Sequence, residues 1–195
     1  MGGNMELILA SRSPRRREIM QHMGLSFSIE ECTAPETVRS GLPAEETVVL
    51  LALQKAAYAL RLHPEACVIG ADTVVVLDGE IIGKPKSADD AAATLQRMQG
   101  RSHTVYTGLA VLKDGYSDTR FVKTEVTFRP MTEKEIRWYV STKEPLDKAG
   151  SYGIQGLASV FVESIGGDYF NVVGLPASTL YEMLLKAKAV TEDRK

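Results

Sequence analysis

The residues with the strongest claim to chemistry open the chain. In Ser11-Arg12-Ser13-Pro14-Arg15-Arg16-Arg17, four arginines crowd the predicted start of a helix. Free backbone N–H groups already make that end partially positive. Cations placed there oppose the dipole and repel one another. A polyphosphate would relieve the repulsion, take the N–H donors and accept bidentate guanidinium bonds. A solvated basic face is the plainer reading. Asp72 closes the apolar run Cys67-Val68-Ile69-Gly70-Ala71 and stands beside Thr73. A carboxylate so placed serves as a metal ligand or a base, or else as a strand-end Asp in an ordinary turn. Lys84 is presented between Gly83 and Pro85, and Lys55 falls on a polar helix position. Taken alone, each reads as a surface lysine. Together, carboxylate and cationic clamp suggest phosphoryl or nucleotidyl chemistry with Mg²⁺ or Mn²⁺ on oxygen ligands. The metal would draw charge from a polyphosphate while Asp72 orients or deprotonates a water.

The elements that must hold these residues can be read from local signals. Leu7 to Ala10 is a short buried strand. Ser13 fits a helix N-cap and Pro14 the first helical position, with Gly24 as the stop. Residues 26–30 alternate as a strand, and a polar loop from Glu31 to Pro43 carries Glu36. Residues 44–62 form a long helix ended by His63-Pro64. The strand ending at Asp72-Thr73 continues extended to Leu77, and Asp78-Gly79 predicts a hairpin that returns through Ile82. Ser87 opens a helix closed by Gly100. Residues 102–112 and 119–128 pair around Asp114-Gly115, and Thr132 with Glu135 forms a capping box, Trp138 falling in the core. Residues 144–156 read as a long functional loop. Residues 159–165 read as a strand, 169–173 as extended, and Pro176 starts the last helix.

Composition narrows the class. Of 195 residues, 44% are hydrophobic and 25% charged, enough apolar content for the core of one domain or two closely packed lobes. The reading is a single domain over 1–195, with 1–5 tag-like or disordered and 190–195 a frayed tail. The net charge of −2 makes the arginine cluster local and argues against a stable nucleic-acid partner. No apolar run approaches membrane length and the N-terminus lacks a signal-peptide layout. Cys32 and Cys67 make no metal spacing, which with the absence of a disulfide framework favours the cytoplasm. His22, His63 and His103 lack ligand spacing and read as structural or solvated. There is no Gly-x-Gly-x-x-Gly, no Walker loop and no Ser-His-Asp arrangement.

Several short blocks, in this order, resemble the Maf family of nucleoside triphosphate pyrophosphatases: Leu9-Ala10-Ser11-Arg12-Ser13-Pro14-Arg15-Arg16, Gly70-Ala71-Asp72-Thr73, Gly83-Lys84-Pro85, Gly100-Arg101-Ser102-His103, Lys143-Glu144-Pro145, Asp147-Lys148-Ala149-Gly150, Tyr152-Gly153-Ile154-Gln155-Gly156 and Gly174-Leu175-Pro176. The resemblance spans about Leu7 to Leu184. It implies an α/β fold: an elongated mixed sheet with flanking helices, two lobes around a cleft, akin to inosine triphosphatase-like enzymes. It also implies hydrolysis between the α- and β-phosphates, a divalent metal and a homodimer. Asp72 matches the family's proton acceptor. Ser11, Arg16, Lys55 and Lys84 match its phosphate-binding residues, and Glu36 with Asp72 its metal-serving carboxylates. Arg15, Thr73 and Gln155 match the group acting on dTTP and UTP; the 7-methyl-GTP group typically carries Trp in place of that Arg. A methylated purine cation favours an aromatic face, whereas a pyrimidine edge favours amide and hydroxyl hydrogen bonds. The competing readings are a 7-methyl-GTP pyrophosphatase and a non-enzymatic regulator of cell division that binds nucleic acid or a partner.

Overall fold

The computed structural model describes residues 5–33, 37 and 41–191. Strands β1 (Leu7–Ala10), β2 (Ser28–Ile29), β3 (Cys67–Leu77), β4 (Glu80–Ile82), β5 (Ser102–Lys113), β6 (Tyr116–Phe128) and β7 (Val162–Gly166) form a mixed sheet. Their hydrogen-bonded order is β2-β1-β3-β5-β6-β7, with β4 paired to β3. The helices are α1 (Pro14–His22), α2 (Ala44–Leu62), α3 (Ala88–Met98), α4 (Glu133–Ser141), α5 (Tyr169–Val173) and α6 (Ala177–Lys186). The chain divides into two compact units. One holds the chain up to Asp72, Thr107–Val122 and the chain from Gly174; the other holds Thr73–Tyr106 and Lys123–Val173. Among the described residues, no helix is long and apolar enough to cross a membrane.

In the first unit, β1 pairs in parallel with both β2 and β3, in register from Leu7 opposite Cys67 to Ala10 opposite Gly70. A central parallel strand is covered on both faces, which is why all four residues of β1 are apolar and buried. Helix α2 packs through alanines: Ala52, Ala56 and Ala59 meet Ile8, Ala10, Val68, Ala110 and Leu112. Two glycines let its backbone touch the sheet. A Cβ on Gly70 would stand 2.1 Å from the Ala52 carbonyl oxygen, and one on Gly108 would stand 2.3 Å from the Val48 carbonyl.

In the second unit, Asp78 (φ 53°) and Gly79 (φ 79°) make the tight turn between β3 and β4, in register with Leu77 opposite Glu80. The core is aromatic. His103, Phe128 and Tyr152 meet edge to face with centroids 4.8–5.2 Å apart, and the His103 ring Nε2 lies 2.7 Å from the Tyr152 hydroxyl. Burial lowers the His103 pKa to about 4 and pushes the Tyr152 hydroxyl far above its usual range.

Helices α1, α3 and α4 begin at the caps the sequence predicts. Ser13, Ser87 and Thr132 accept N–H bonds from Arg16, Asp90 and Glu135, and the Thr132–Glu135 capping box is complete. Five expectations are corrected. The second strand is only Ser28–Ile29. Residues 169–173 are helical, because Asp168 Oδ1 accepts the Phe170 N–H at 2.8 Å, and buried Asn171 donates to the Val105 carbonyl and Thr124 Oγ1 at 3.0 and 2.9 Å. Residues 157–161 form a 3₁₀ turn before β7, where a strand is predicted from 159. Trp138 is 47% exposed, and its neighbour Tyr139 fills the core position. The stretch 144–156 is no open loop but a series of 3₁₀ turns at Glu144–Asp147 and Ala149–Ser151. The residues at 1–4 and 192–195 lie outside the described part of the chain.

Two outcomes follow. Gly108→Ala drives a methyl into the α2 backbone, which should lower stability by roughly 1–3 kcal/mol in chemical denaturation. His103 is held neutral, so between about pH 6.5 and 4 the unfolded chain takes up a proton that the folded chain refuses. Stability must therefore fall as pH drops through that window, by at most about 3 kcal/mol. The slope attributable to this residue should vanish in His103→Gln, measured as unfolding free energy against pH beside the wild type.

Candidate functional site

In the first unit, the predicted residues gather around the middle of β3. The strand does not end at Asp72. The β-branched run Thr73 to Val76 carries it unbroken to Leu77, so the reading of Asp72 as a turn residue is corrected. The close approach of α2 at Gly70 brings Lys55 over this strand, and its Nζ lies 2.5 Å from Asp72 Oδ1. Both side chains are largely withdrawn from solvent, at 13% and 14% exposure. An ammonium and a carboxylate this close in a poorly hydrated spot interact far more strongly than an exposed pair.

Arg16 approaches the same place from α1. Its Nε donates to the Gly174 carbonyl at 2.8 Å and its Nη1 to the Ala71 carbonyl at 2.9 Å, with Ser11 Oγ at 3.3 Å. Ser11 is buried, and its Oγ also accepts the Ser13 N–H at 3.2 Å. The arginine cluster is thus partly satisfied from within: Arg16 faces two carbonyls and Arg12 faces Glu31 at 3.1 Å. This amends the expectation of four cations crowded without relief. Arg15 is half-buried on the first turn of α1. Ser11, Arg16, Lys55 and Asp72 therefore converge, although their sequence neighbourhoods are far apart.

In the second unit, Thr73 is half-buried on β3, and Lys84 and Gln155 are exposed. The Lys84 segment is fixed by the Gly83 carbonyl, which accepts the Gly150 N–H at 3.1 Å. Gly150 has no substitute there. Its φ is +69°, and a Cβ would stand 2.7 Å from Val75. Gln155 sits in a turn whose Gly156 N–H returns to the Gly153 carbonyl at 3.0 Å. Glu36 lies outside the described residues. Its neighbour in sequence, Thr37, is clasped through its N–H and carbonyl by the Gln54 amide at 3.0 and 2.9 Å, one residue before Lys55.

Sequence reasoning singled out neither Gln54 nor Tyr139 as a site-building residue. A glutamine beside a helical lysine carries no motif, and Tyr139 stands out only as an inward position of α4. Glu144 was visible solely as the middle of Lys143-Glu144-Pro145. Among the described residues, no three His, Cys, Asp or Glu side chains gather into a group that could hold a metal. The donor chemistry nevertheless suits a hard cation: Asp72 offers carboxylate oxygen, and Mg²⁺ typically uses one or two carboxylates together with substrate phosphates.

This geometry can be set beside known proteins. A dTTP/UTP pyrophosphatase of Bacillus pumilus is 48% identical over 179 residues, 92% of this chain and 95% of that protein. A dTTP/UTP pyrophosphatase of Pelotomaculum thermopropionicum is 46% identical over 183 residues, 93% of this chain and 96% of that protein. In three dimensions the Staphylococcus aureus Ham1 protein aligns with a TM-score of 0.51 at 13% identity, over 94% of this chain and 99% of that one. A HAM1 protein from Coxiella burnetii aligns with a TM-score of 0.50 at 14% identity and the same coverage. At such identities these two speak for the fold alone. The profile described as Maf-like protein matches residues 6–187. With the match covering nearly the whole chain and relatives close to half identical, this chain belongs to the Maf-like protein family.

Proposed function

We propose that this chain hydrolyses dTTP and UTP to the nucleoside monophosphate and pyrophosphate, with Asp72 as proton acceptor. The observation that carries the proposal is the Lys55–Asp72 pair, 2.5 Å apart and withdrawn from water, beside the carbonyl-strapped Arg16. The names of the relatives supply the reaction. Water adds to phosphorus at the α–β bridge and its proton passes to the Asp72 carboxylate. The bridging P–O bond breaks, and pyrophosphate leaves with the bond's electron pair. Arg16, Lys55, Lys84 and the Ser11 hydroxyl bind the triphosphate charge, which grows on the leaving pyrophosphate as the bond breaks. A divalent cation, Mg²⁺ or Mn²⁺, would neutralise phosphate charge when bound, and Asp72 and Glu36 are the residues that would hold it.

Selectivity falls to Arg15, Thr73 and Gln155. An amide and a hydroxyl supply the donors and acceptors that a uracil or thymine edge presents, and a site built to make such bonds rejects bases that leave them unpaired. Arg15 offers no aromatic face of the kind a methylated purine cation favours.

The deciding measurement is pyrophosphate release from dTTP, UTP, CTP, ATP, GTP and 7-methyl-GTP, with Mg²⁺ or Mn²⁺ and with chelator. Turnover should concentrate on dTTP and UTP and stop with chelator. Preference for 7-methyl-GTP would overturn the selectivity reading, and silence across the panel would overturn the enzymatic one. Asp72→Asn should keep the fold and lose roughly 10²–10⁴-fold in kcat, the usual worth of a general base. Full activity in that variant would remove Asp72 from the reaction.

A further inference from the structure

The turn carrying Gln155 is held in a way its sequence does not require. It is bracketed by two glycines, Gly153 and Gly156, and Gln155 itself is exposed. Such a turn has every reason to be loose. Instead its two ends are gripped by one pair of side chains. The Gly153 N–H donates to the Tyr139 hydroxyl at 3.3 Å, and the Leu157 N–H donates to Glu144 Oε2 at 3.0 Å. The grips are linked, because the Tyr139 hydroxyl donates to Glu144 Oε1 at 3.0 Å. Burial, and after it the charge of Glu144, raise the Tyr139 pKa far above the ordinary range, so the phenol keeps the proton it donates.

Glu144 is itself aimed. Lys143, just before it, adopts a left-handed φ of 64°. The Glu144 N–H donates to Thr142 Oγ1 at 3.2 Å, and its carbonyl accepts the Lys148 ammonium at 2.8 Å. The carboxylate then lies flat on the turn. A Cβ on Gly156 would stand 2.2 Å from Oε1, so residue 156 must be glycine for the carboxylate to reach both donors. The residues on either side of Gln155 are therefore held by one hydroxyl on α4 and one carboxylate on the 3₁₀ turn that follows it.

We propose that Glu144 is a positioning residue for substrate selection. Its carboxylate, shared between the Tyr139 hydroxyl and the Leu157 N–H, holds the Gly153–Leu157 turn so that the Gln155 amide meets a pyrimidine edge in one orientation. This rests on the reading of Gln155 as a base-selecting residue. An amide discriminates only when its donor and acceptor are fixed to within a fraction of an ångström, and a second layer of hydrogen bonds supplies that fixity. The bonds of Glu144 run to Tyr139, Thr142, Lys148 and Leu157, and the turn they hold carries Gln155. The effect of Glu144 should thus fall on selection and not on the chemical step.

The test measures kcat and KM for UTP, dTTP and CTP in the wild type, Glu144→Ala, Glu144→Gln, Gln155→Ala and the Glu144→Ala/Gln155→Ala double variant, with melting temperatures alongside. Glu144→Ala should raise KM for UTP about 10-fold with kcat little changed, the signature of lost binding and of about one hydrogen bond. The ratio of kcat/KM for UTP over CTP should fall to that of Gln155→Ala, and the double variant should fall no further. Glu144→Gln should recover most of the ratio, since its oxygen still accepts from Leu157 and its NH₂ can donate to the Tyr139 oxygen. A merely structural role would lower the active fraction for every nucleotide alike and leave the ratio untouched; that result overturns the proposal, as does a further drop in the double variant. Should Glu144→Ala fail to fold, Tyr139→Phe removes only the linking hydroxyl and carries the same expectation for the ratio. Wild-type protein that turns over neither UTP nor dTTP overturns the parent reading, and this one with it. A selective wild type with an unmoved Glu144→Ala ratio overturns this one alone.

Discussion

Everything at Asp72 depends on how closely one helix can lie on one sheet. Helix α2 meets β3 at Gly70 and β5 at Gly108, where its backbone occupies the space a side chain would fill. The alanines between those points keep the layer thin. A lysine on a helix held further out by leucines would have to stretch, and its ammonium would remain in water. Here Lys55 descends onto a carboxylate two residues beyond the glycine that admits it. The tightness is hydrophobic in origin, but its yield is electrostatic: a cation and an anion share a poorly hydrated spot, where partners that bear charge are felt strongly.

The second unit uses glycine for a different end. Gly150 allows its 3₁₀ turn to press on Val75 and to hold the Gly83 carbonyl, and Gly156 allows a carboxylate to lie on the backbone of its turn. In each case an exposed side chain, Lys84 or Gln155, stands on a segment whose backbone is fixed by partners. Function is thus placed on short connections, and the surrounding hydrogen bonds give those connections the stiffness of regular elements.

How much of this could be read from sequence follows from the range of each determinant. The starts of α1, α3 and α4 were legible because a cap is a bond between residues three apart. Helix α2 was legible to the residue because its apolar rhythm is long and His63-Pro64 ends it. The hairpin at Asp78-Gly79 declares itself in two residues. The helix at 169–173 was not legible, since Asn171 is held by Val105 and Thr124, far off in the chain. Helical spacing put Tyr139 on the inner face of α4, where it lies, but adjacent helical residues point about 100° apart and the size of Trp138 did not bring it into the core as well. For the site, types and spacing pointed to Asp72 and the arginine cluster, whereas Lys55 and Lys84, surface lysines when taken alone, were picked out by the family resemblance. That Arg16 would spend two of its nitrogens on carbonyls of Ala71 and Gly174 could not be read, because a carbonyl has no residue type.

That strap has a consequence in time. Arg16 and Gly174 are 158 residues apart. A ribosome makes the chain from its N-terminal side, so the guanidinium is made 158 residues before one of its two carbonyl anchors. Until synthesis has passed Gly174, Arg16 has the Ala71 carbonyl and Ser11 Oγ for its Nη1 but not the carbonyl that fixes its Nε. The closure of so long a loop also belongs to the slow, non-local class of folding events. A chain that stops before Gly174 therefore lacks one of the two carbonyls that direct Arg16.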